Sequence, residues 1–260
     1  ERPPNPVGSS VSAIAVSPDG ALIATGGGAG EVALWKPGSA EAGPRMLGGH
    51  EGWITSLAFS PDGSRLLSAA EDGKIQVWRL DAAPTEEAVS LDAHRGAVIK
   101  ARFFDDGRRI ITAGTDALVR LWTVADLTQS PVSLREHEGN ISAFDLDPSN
   151  RWLVTGSLDG TVRLWDLQAI DTTPALLGPR KSAINTVAIS PDASVIAAGD
   201  KDGEVRIWRR AEPNADPDAL SIGTDLRGGA PSASAWGLRF SRDGRWLTTM
   251  VAGSRCRIAS

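Results

Sequence analysis

Apolar and polar residues alternate along this chain only in short stretches, and turn-forming residues break each of them. Residues 47–78, LGGHEGWITSLAFSPDGSRLLSAAEDGKIQVW, show the pattern in full. The run 54–59 is β-rich and predicts a strand. Ser60-Pro61-Asp62-Gly63 follows, with proline pre-set for the second position of a tight turn and glycine free to take positive φ. Residues 66–70 predict the returning strand and Glu71-Asp72-Gly73 a second turn. Ile75 and Val77 then alternate with Lys74 and Gln76, as in a half-buried strand, and the run 88–91 supplies a fourth. No stretch holds a 3.6-residue apolar period long enough for a helix, so the pattern predicts an all-β chain.

The unit returns, altered, with Trp35, Trp78, Trp122, Trp165 and Trp208 falling every 43 or 44 residues. A period of about 40 to 45 residues is that of four-stranded propeller blades. The expected fold is therefore a β-propeller of four-stranded antiparallel blades in a single domain spanning 1–260. Six blades are recognisable, with cores near 11–35, 54–78, 98–122, 141–165, 184–208 and 235–259, and the last is incomplete. Closure of the sheet edges then requires either six blades or an arc of a ring with seven or more. Gly26-Gly27-Gly28 is expected as a loose turn, and the polar, Pro-rich stretch 209–229 as a mobile outer loop rather than a central strand.

These motifs resemble the WD-repeat β-propeller family over nearly the whole chain. The resemblance implies buried hydrogen-bonded tetrads, each a His before the first strand, a Ser or Thr in the second, an Asp in the following turn and a Trp in the third. Three sets are complete: His50, Ser68, Asp72 and Trp78; His94, Thr112, Asp116 and Trp122; and His137, Thr155, Asp159 and Trp165. In the first unit Val7 and Ala29 stand at the His and Asp places, leaving Thr25 and Trp35; in the fifth, Arg180 and Ala198 replace His and Ser/Thr, and Asp202 and Trp208 remain. An Arg180–Asp202 pair is one expectation there. The family pattern also implies a partner surface on the top face, which here comprises Trp53, Thr55, Glu71, Ile99, Asn140, Leu158, Asn185, Lys201 and Trp236. Trp152 and Trp246 are expected to cover blade edges.

Chemistry narrows the picture further. The three histidines sit in separate repeats and cannot converge on one ion, so neither a metal nor a cofactor is expected. Ser68, Thr112 and Thr155 stand in strands between apolar neighbours, unlike a nucleophile that needs an exposed oxygen beside an oxyanion hole, and the chain is expected not to be an enzyme. The glycine triplet lacks the Lys-Ser/Thr of a phosphate-binding loop. A net charge of −5 and scattered basic residues argue against nucleic acid, and no apolar run reaches the length of a membrane helix. With Cys256 alone no internal disulfide forms, and the N-terminus lacks the parts of a signal peptide, so a reducing, cytoplasmic location is expected. The richness in Ala, Gly, Arg and Asp points to a bacterial gene, and the start at Glu1 to a fragment or processed chain. The function expected is a scaffold presenting the top face to a protein or peptide. The alternative is a regulatory or sensor module of a larger signalling protein of NTPase or kinase type, with catalysis outside this chain.

Overall fold

The computed structural model describes residues 10–38, 43–81, 88–178, 182–213, 217–221, 234–251 and 257–259. Among them every regular element is a strand. The chain divides into two compact units, residues Glu1–Arg135 and Glu136–Ser260, each holding three antiparallel sheets. In the first unit, blade 1 consists of β1 (Val11–Val16), β2 (Ile23–Gly27), β3 (Glu31–Trp35) and β4 (Arg45–Gly49). Blade 2 is β5 (Ile54–Phe59), β6 (Arg65–Ala70), β7 (Lys74–Arg79) and β8 (Val89–Asp92), and blade 3 is β9 (Val98–Phe104), β10 (Arg109–Gly114), β11 (Val119–Thr123) and β12 (Val132–Leu134).

In the second unit, blade 4 is β13 (Ile141–Leu146), β14 (Trp152–Ser157), β15 (Val162–Asp166) and β16 (Ala175–Leu177). Blade 5 is β17 (Ile184–Ile189), β18 (Val195–Asp200), β19 (Glu204–Arg209) and β20 (Asp218–Ser221). Blade 6 has three strands among the described residues, β21 (Ala235–Phe240), β22 (Leu247–Val251) and β23 (Arg257–Ala259). Within each blade the strands pair in chain order.

Serine and aspartate build the hairpins between first and second strands. Ser60 Oγ donates to Asp62 Oδ1 at 2.5 Å, and Asp62 also accepts the Ser64 backbone N–H, which clamps the turn. Ser17–Asp19, Ser190–Asp192 and Ser241–Asp243 repeat the arrangement. The Ser60 hydroxyl and the Ser64 groups hold the Asp62 carboxyl down to about 2, and Ser190 and Ser194 do the same for Asp192. In blade 4, Asp147 takes the serine's place and accepts the Trp152 N–H at 2.6 Å.

The cores lie between neighbouring blades of a unit. Ile54 of blade 2 packs with Ala24, Val32 and Leu34 of blade 1, and Ile184 of blade 5 with Val154, Val162 and Leu164 of blade 4. Glycine makes this approach possible: a Cβ at Gly26 would stand 2.5 Å from Ile54 Cγ2, and one at Gly156 2.5 Å from Ile184 Cγ2. Blade 1 differs on its other face. Ile14 is 66 % exposed, while of its counterparts by repeat register Leu57 is half-buried and Ala101, Phe144, Val187 and Leu238 are buried.

Two sequence expectations are corrected. Gly26 and Gly27 belong to β2, and the turn that follows is tight, closed by the Gly30 N–H to Gly27 O and by φ of +87° at Gly30. The stretch 209–229 contains a strand, because Asp218–Ser221 pairs with Glu204–Ile207 as the outer edge of blade 5. An edge strand tolerates such a polar neighbourhood, since one side of its backbone needs no partner strand.

Candidate functional site

Three polar chains run through the upper halves of blades 2 to 4. In blade 2 the Trp78 indole N–H donates to Ser68 Oγ at 3.1 Å, and that oxygen lies 2.8 Å from His50 Nε2. Since the hydroxyl accepts from the indole, its hydrogen goes to Nε2, and His50 Nδ1–H donates to Asp72 Oδ2 at 3.0 Å. Asp72 also accepts the backbone N–H groups of Glu51 and Lys74. The histidine is thus neutral, and burial pushes its pKa down against the pull of Asp72.

Blade 3 repeats this with Trp122, Thr112, His94 and Asp116, at 3.1, 2.9 and 2.7 Å in turn, and adds Arg120, whose Nη1 donates to Asp116 Oδ2 at 2.8 Å. Burial again lowers the His94 pKa. Burial alone would raise Asp116, but hydrogen bonds from His94 and Arg120 outweigh it and hold the carboxyl down to about 2. In blade 4 Trp165 donates to Thr155 at 2.9 Å, Thr155 lies 2.7 Å from His137 Nε2, and His137 Nδ1 lies 3.2 Å from Asp159. Thr161 adds a hydroxyl to Asp159, whose carboxyl is likewise held to about 2.

Blades 1 and 5 lack this network. Trp35 still donates to Thr25 at 2.8 Å. In blade 5 the buried Trp208 indole N–H has no partner, and the guanidinium of buried Arg206 lies 5.7 Å over its ring. Arg206 pairs with Asp200 at 3.7 Å rather than with Asp202, which is exposed; Arg180 lies outside the described residues. Burial raises the Asp200 carboxyl against the N–H groups of Glu204 and Asp202 and the Arg206 charge.

The nine residues assigned to a partner surface separate into two groups. The first lies, in each unit separately, on a rim where the turn after the second strand meets the residue before the first. There Glu71 N–H donates to Trp53 O (3.0 Å), Leu158 N–H to Asn140 O (2.9 Å) and Lys201 N–H to Ala183 O (2.9 Å). Gly28–Ser10 and Thr115–Ala97 complete the series. Trp53 is 53 % and Leu158 50 % exposed, and Glu71, Asn140 and Lys201 are exposed as well.

The second group sits at bulges of the first strands. Between Ile54 and Ser56 the register with β6 slips by one, and Thr55 is the inserted residue. Its hydroxyl donates to Val98 O of blade 3 at 2.5 Å, as Ser12 Oγ does to Ile54 O of blade 2 at 2.6 Å. Thr55 is half-buried and ties two blades together. Ile99 and Asn185 occupy equivalent bulges and are half-buried, the Asn185 amide nitrogen being buried without a partner. Trp236 opens the bulge of β21 and stands across from Met250 of β22, both exposed on that sheet.

Trp152 is held between the guanidiniums of Arg151 and Arg210, 4.9 and 4.8 Å from its ring centre, with Asp166 bonded to Arg151 at 2.8 Å. Trp246 is exposed. Sequence reasoning missed Arg206–Asp200 and missed that Gly28 and Glu51 adjoin Trp53; Glu51, next to the tetrad His50, was the available signal. Among the described residues no helix is long and apolar enough to cross a membrane, and no cluster of His, Cys, Asp and Glu could hold a metal ion.

The family model described as WD domain, G-beta repeat matches residues 6–36, 44–79, 86–123, 128–166 and 172–209, together more than two-thirds of the chain. A search of curated proteins gave no match.

Proposed function

Starting from a chain that belongs to the WD-repeat family, we propose that it is a non-enzymatic interaction module whose rim of strand-turn residues binds a protein or peptide partner. WD repeats generally mediate protein–protein interaction, and the single observation that carries the reading here is the exposure of Trp53 and Leu158 on that rim. Large apolar side chains held at such turns present area with little rotamer entropy left to lose. The tetrads beneath keep the rim in place, because each Asp that caps a histidine also accepts the backbone N–H of a rim residue, Glu51, Arg95 or Glu138. Glu71 contributes polar selectivity in the first unit and Asn140 and Lys201 in the second, where Trp236 with Met250 offers a further apolar surface. The tetrad hydroxyls are buried and committed to indole and imidazole, which supports the absence of a nucleophile.

Selection of binding peptides from a displayed random library on the whole chain, followed by affinity measurement, tests the proposal. Trp53→Ala should weaken ligands held by the first unit's rim, and Leu158→Ala those held by the second unit's, by about 2 kcal/mol, near thirtyfold, with unchanged thermal midpoints. Ligands that bind all variants equally would place the interaction elsewhere and refute it.

A further inference from the structure

The ring of Trp53 rests over Gly28: a Cβ there would stand 3.3 Å from Trp53 Cε2 and 3.4 Å from Cζ2 and would crowd the indole. At the same rim place other blades carry Glu71, Thr115, Leu158 or Lys201. Two exposed acidic residues adjoin the tryptophan through the backbone. Glu71 is joined to it by the rim hydrogen bond, and Glu51 lies two residues before it, fixed by its own N–H to Asp72. Gly52, between Glu51 and Trp53, packs directly on the Glu71–Asp72 backbone, where a Cβ would be 2.8 Å from Asp72 N. Neither Glu51 nor Glu71 is in an ion pair among the described residues, and no cation lies over the Trp53 ring.

The molecule contains a filled version of this arrangement. Trp152 carries guanidiniums on its ring, with Asp166 as their counter-charge. Trp53 has the indole and the carboxylates without the cation. Two basic groups stand nearby, Lys74 at the start of β7 and Arg95, which adjoins Gly96 against the Gly73 turn. Against them stand Glu51, Glu71 and Asp72, so the neighbourhood stays negative.

We propose that Trp53, Glu51 and Glu71 form a pocket for a basic side chain of the partner, arginine fitting better than lysine. A guanidinium can lie flat on the indole while its edge N–H groups reach a carboxylate, whereas an ammonium is a point charge that surrenders more hydration. This rests on the rim reading above and names the chemistry of its ligand.

The test uses the whole chain, immobilised, and four libraries of capped heptapeptides whose central residue is fixed as arginine, lysine, citrulline or glutamate, the flanking positions being random. The arginine library should be retained about tenfold or more over its neutral isostere citrulline, with lysine between them and glutamate lowest. Trp53→Leu should abolish that preference, and Glu51→Gln/Glu71→Gln should reduce it about tenfold with an unchanged melting temperature. Equal retention of arginine and citrulline, with binding still lost in Trp53→Leu, would overturn the basic pocket and leave the rim as the binding surface. An arginine preference untouched by Trp53→Leu would overturn the pocket as well, marking adsorption to an acidic protein. Failure of every library to bind would overturn both.

Discussion

In blade 3 the indole of Trp122 reaches Thr112 and, through it, His94 and Asp116, so that each buried polar atom of the chain has a partner. In blade 5 Trp208 occupies the same place in the repeat with Ala198 beneath it, its N–H unpartnered and Arg206 across its face. The first arrangement gains from completeness, because a chain of satisfied hydrogen bonds in a low-dielectric setting loses much when any member leaves. The second relies on apolar packing with Val187, Ile189 and Ile196 and on one buried ion pair, whose net worth depends on the penalty of burying its charges. One fold position thus accepts two solutions, provided each leaves no charge stranded.

The largest effect should come from stranding one. Arg206→Met leaves Asp200 buried without its counter-charge and should cost about 3 to 5 kcal/mol. Adding Asp200→Asn should recover most of this, since Oδ1 alone accepts both backbone N–H groups, from Asp202 and Glu204, and an amide oxygen does so equally well. Urea unfolding of the single and double variants, with the slope checked for constancy, measures the recovery; a double variant as unstable as the single removes the distinction between the blades.

Acid sharpens the contrast from the other side. His50 and His94 have folded-state pKa values below the ordinary 6.5, so the unfolded chain takes up their protons first. Their stabilising contribution is whole above 6.5 and is lost as pH falls below it, at up to about 1.4 kcal/mol per pH unit for each. Asp116 and Asp159, held at about 2, keep theirs until the pH falls below the ordinary carboxylate range. Stability measured between pH 7.5 and 5 should fall, and a His50→Gln/His94→Gln variant should show a flatter profile. An unchanged slope in that variant would show that the tetrads are not the titrating elements.

His94→Ala should cost about 1 to 3 kcal/mol in blade 3, because the buried Thr112 hydroxyl loses its acceptor and Asp116 loses one of its donors, and denaturant titration reads it directly. The Trp208→Phe change in blade 5, which removes an N–H that already lacks a partner, should cost less than Trp122→Phe in blade 3 by about 1 kcal/mol. Smallest is Thr55→Val, which keeps the shape and removes the hydroxyl donated to Val98 O, for about 1 kcal/mol. Hydrogen exchange of the amides at the junction of blades 2 and 3 should rise in this variant more than elsewhere.

The strands and turns were legible because the repeat supplies the same local signals each time, and Trp35, Trp78, Trp122, Trp165 and Trp208 fix the register between copies. That alignment also hid what departs from it. Asp202 matches the tetrad aspartates in sequence, yet the buried carboxylate of blade 5 is Asp200, two residues earlier, where other copies have Ala70, Gly114 or Ser157. Arg206 stands in register with the half-buried Gln76, yet it is buried, as its counterpart Arg163 is in blade 4. The placement of Thr55 escaped for another reason. A bulge moves the inserted residue off the strand's alternation, and nothing in the local composition marks which residue is inserted. The position of Trp53 before the first strand of its blade was legible from the repeat, but its companion Gly28 lies in the preceding repeat and is seen beside it only after folding.

The hydroxyl ties from Ser12 to Ile54 and from Thr55 to Val98 span 42 and 43 residues, so each reaches from one copy to the corresponding place in the next. A duplication of one whole copy would therefore bring its own donor and meet an acceptor already in position, with neither strand register nor linker length disturbed. A duplication of any other length would leave a bulge facing the wrong backbone. The ties thus make blade number the easiest property of this chain for gene duplication to change, and repeat length the hardest.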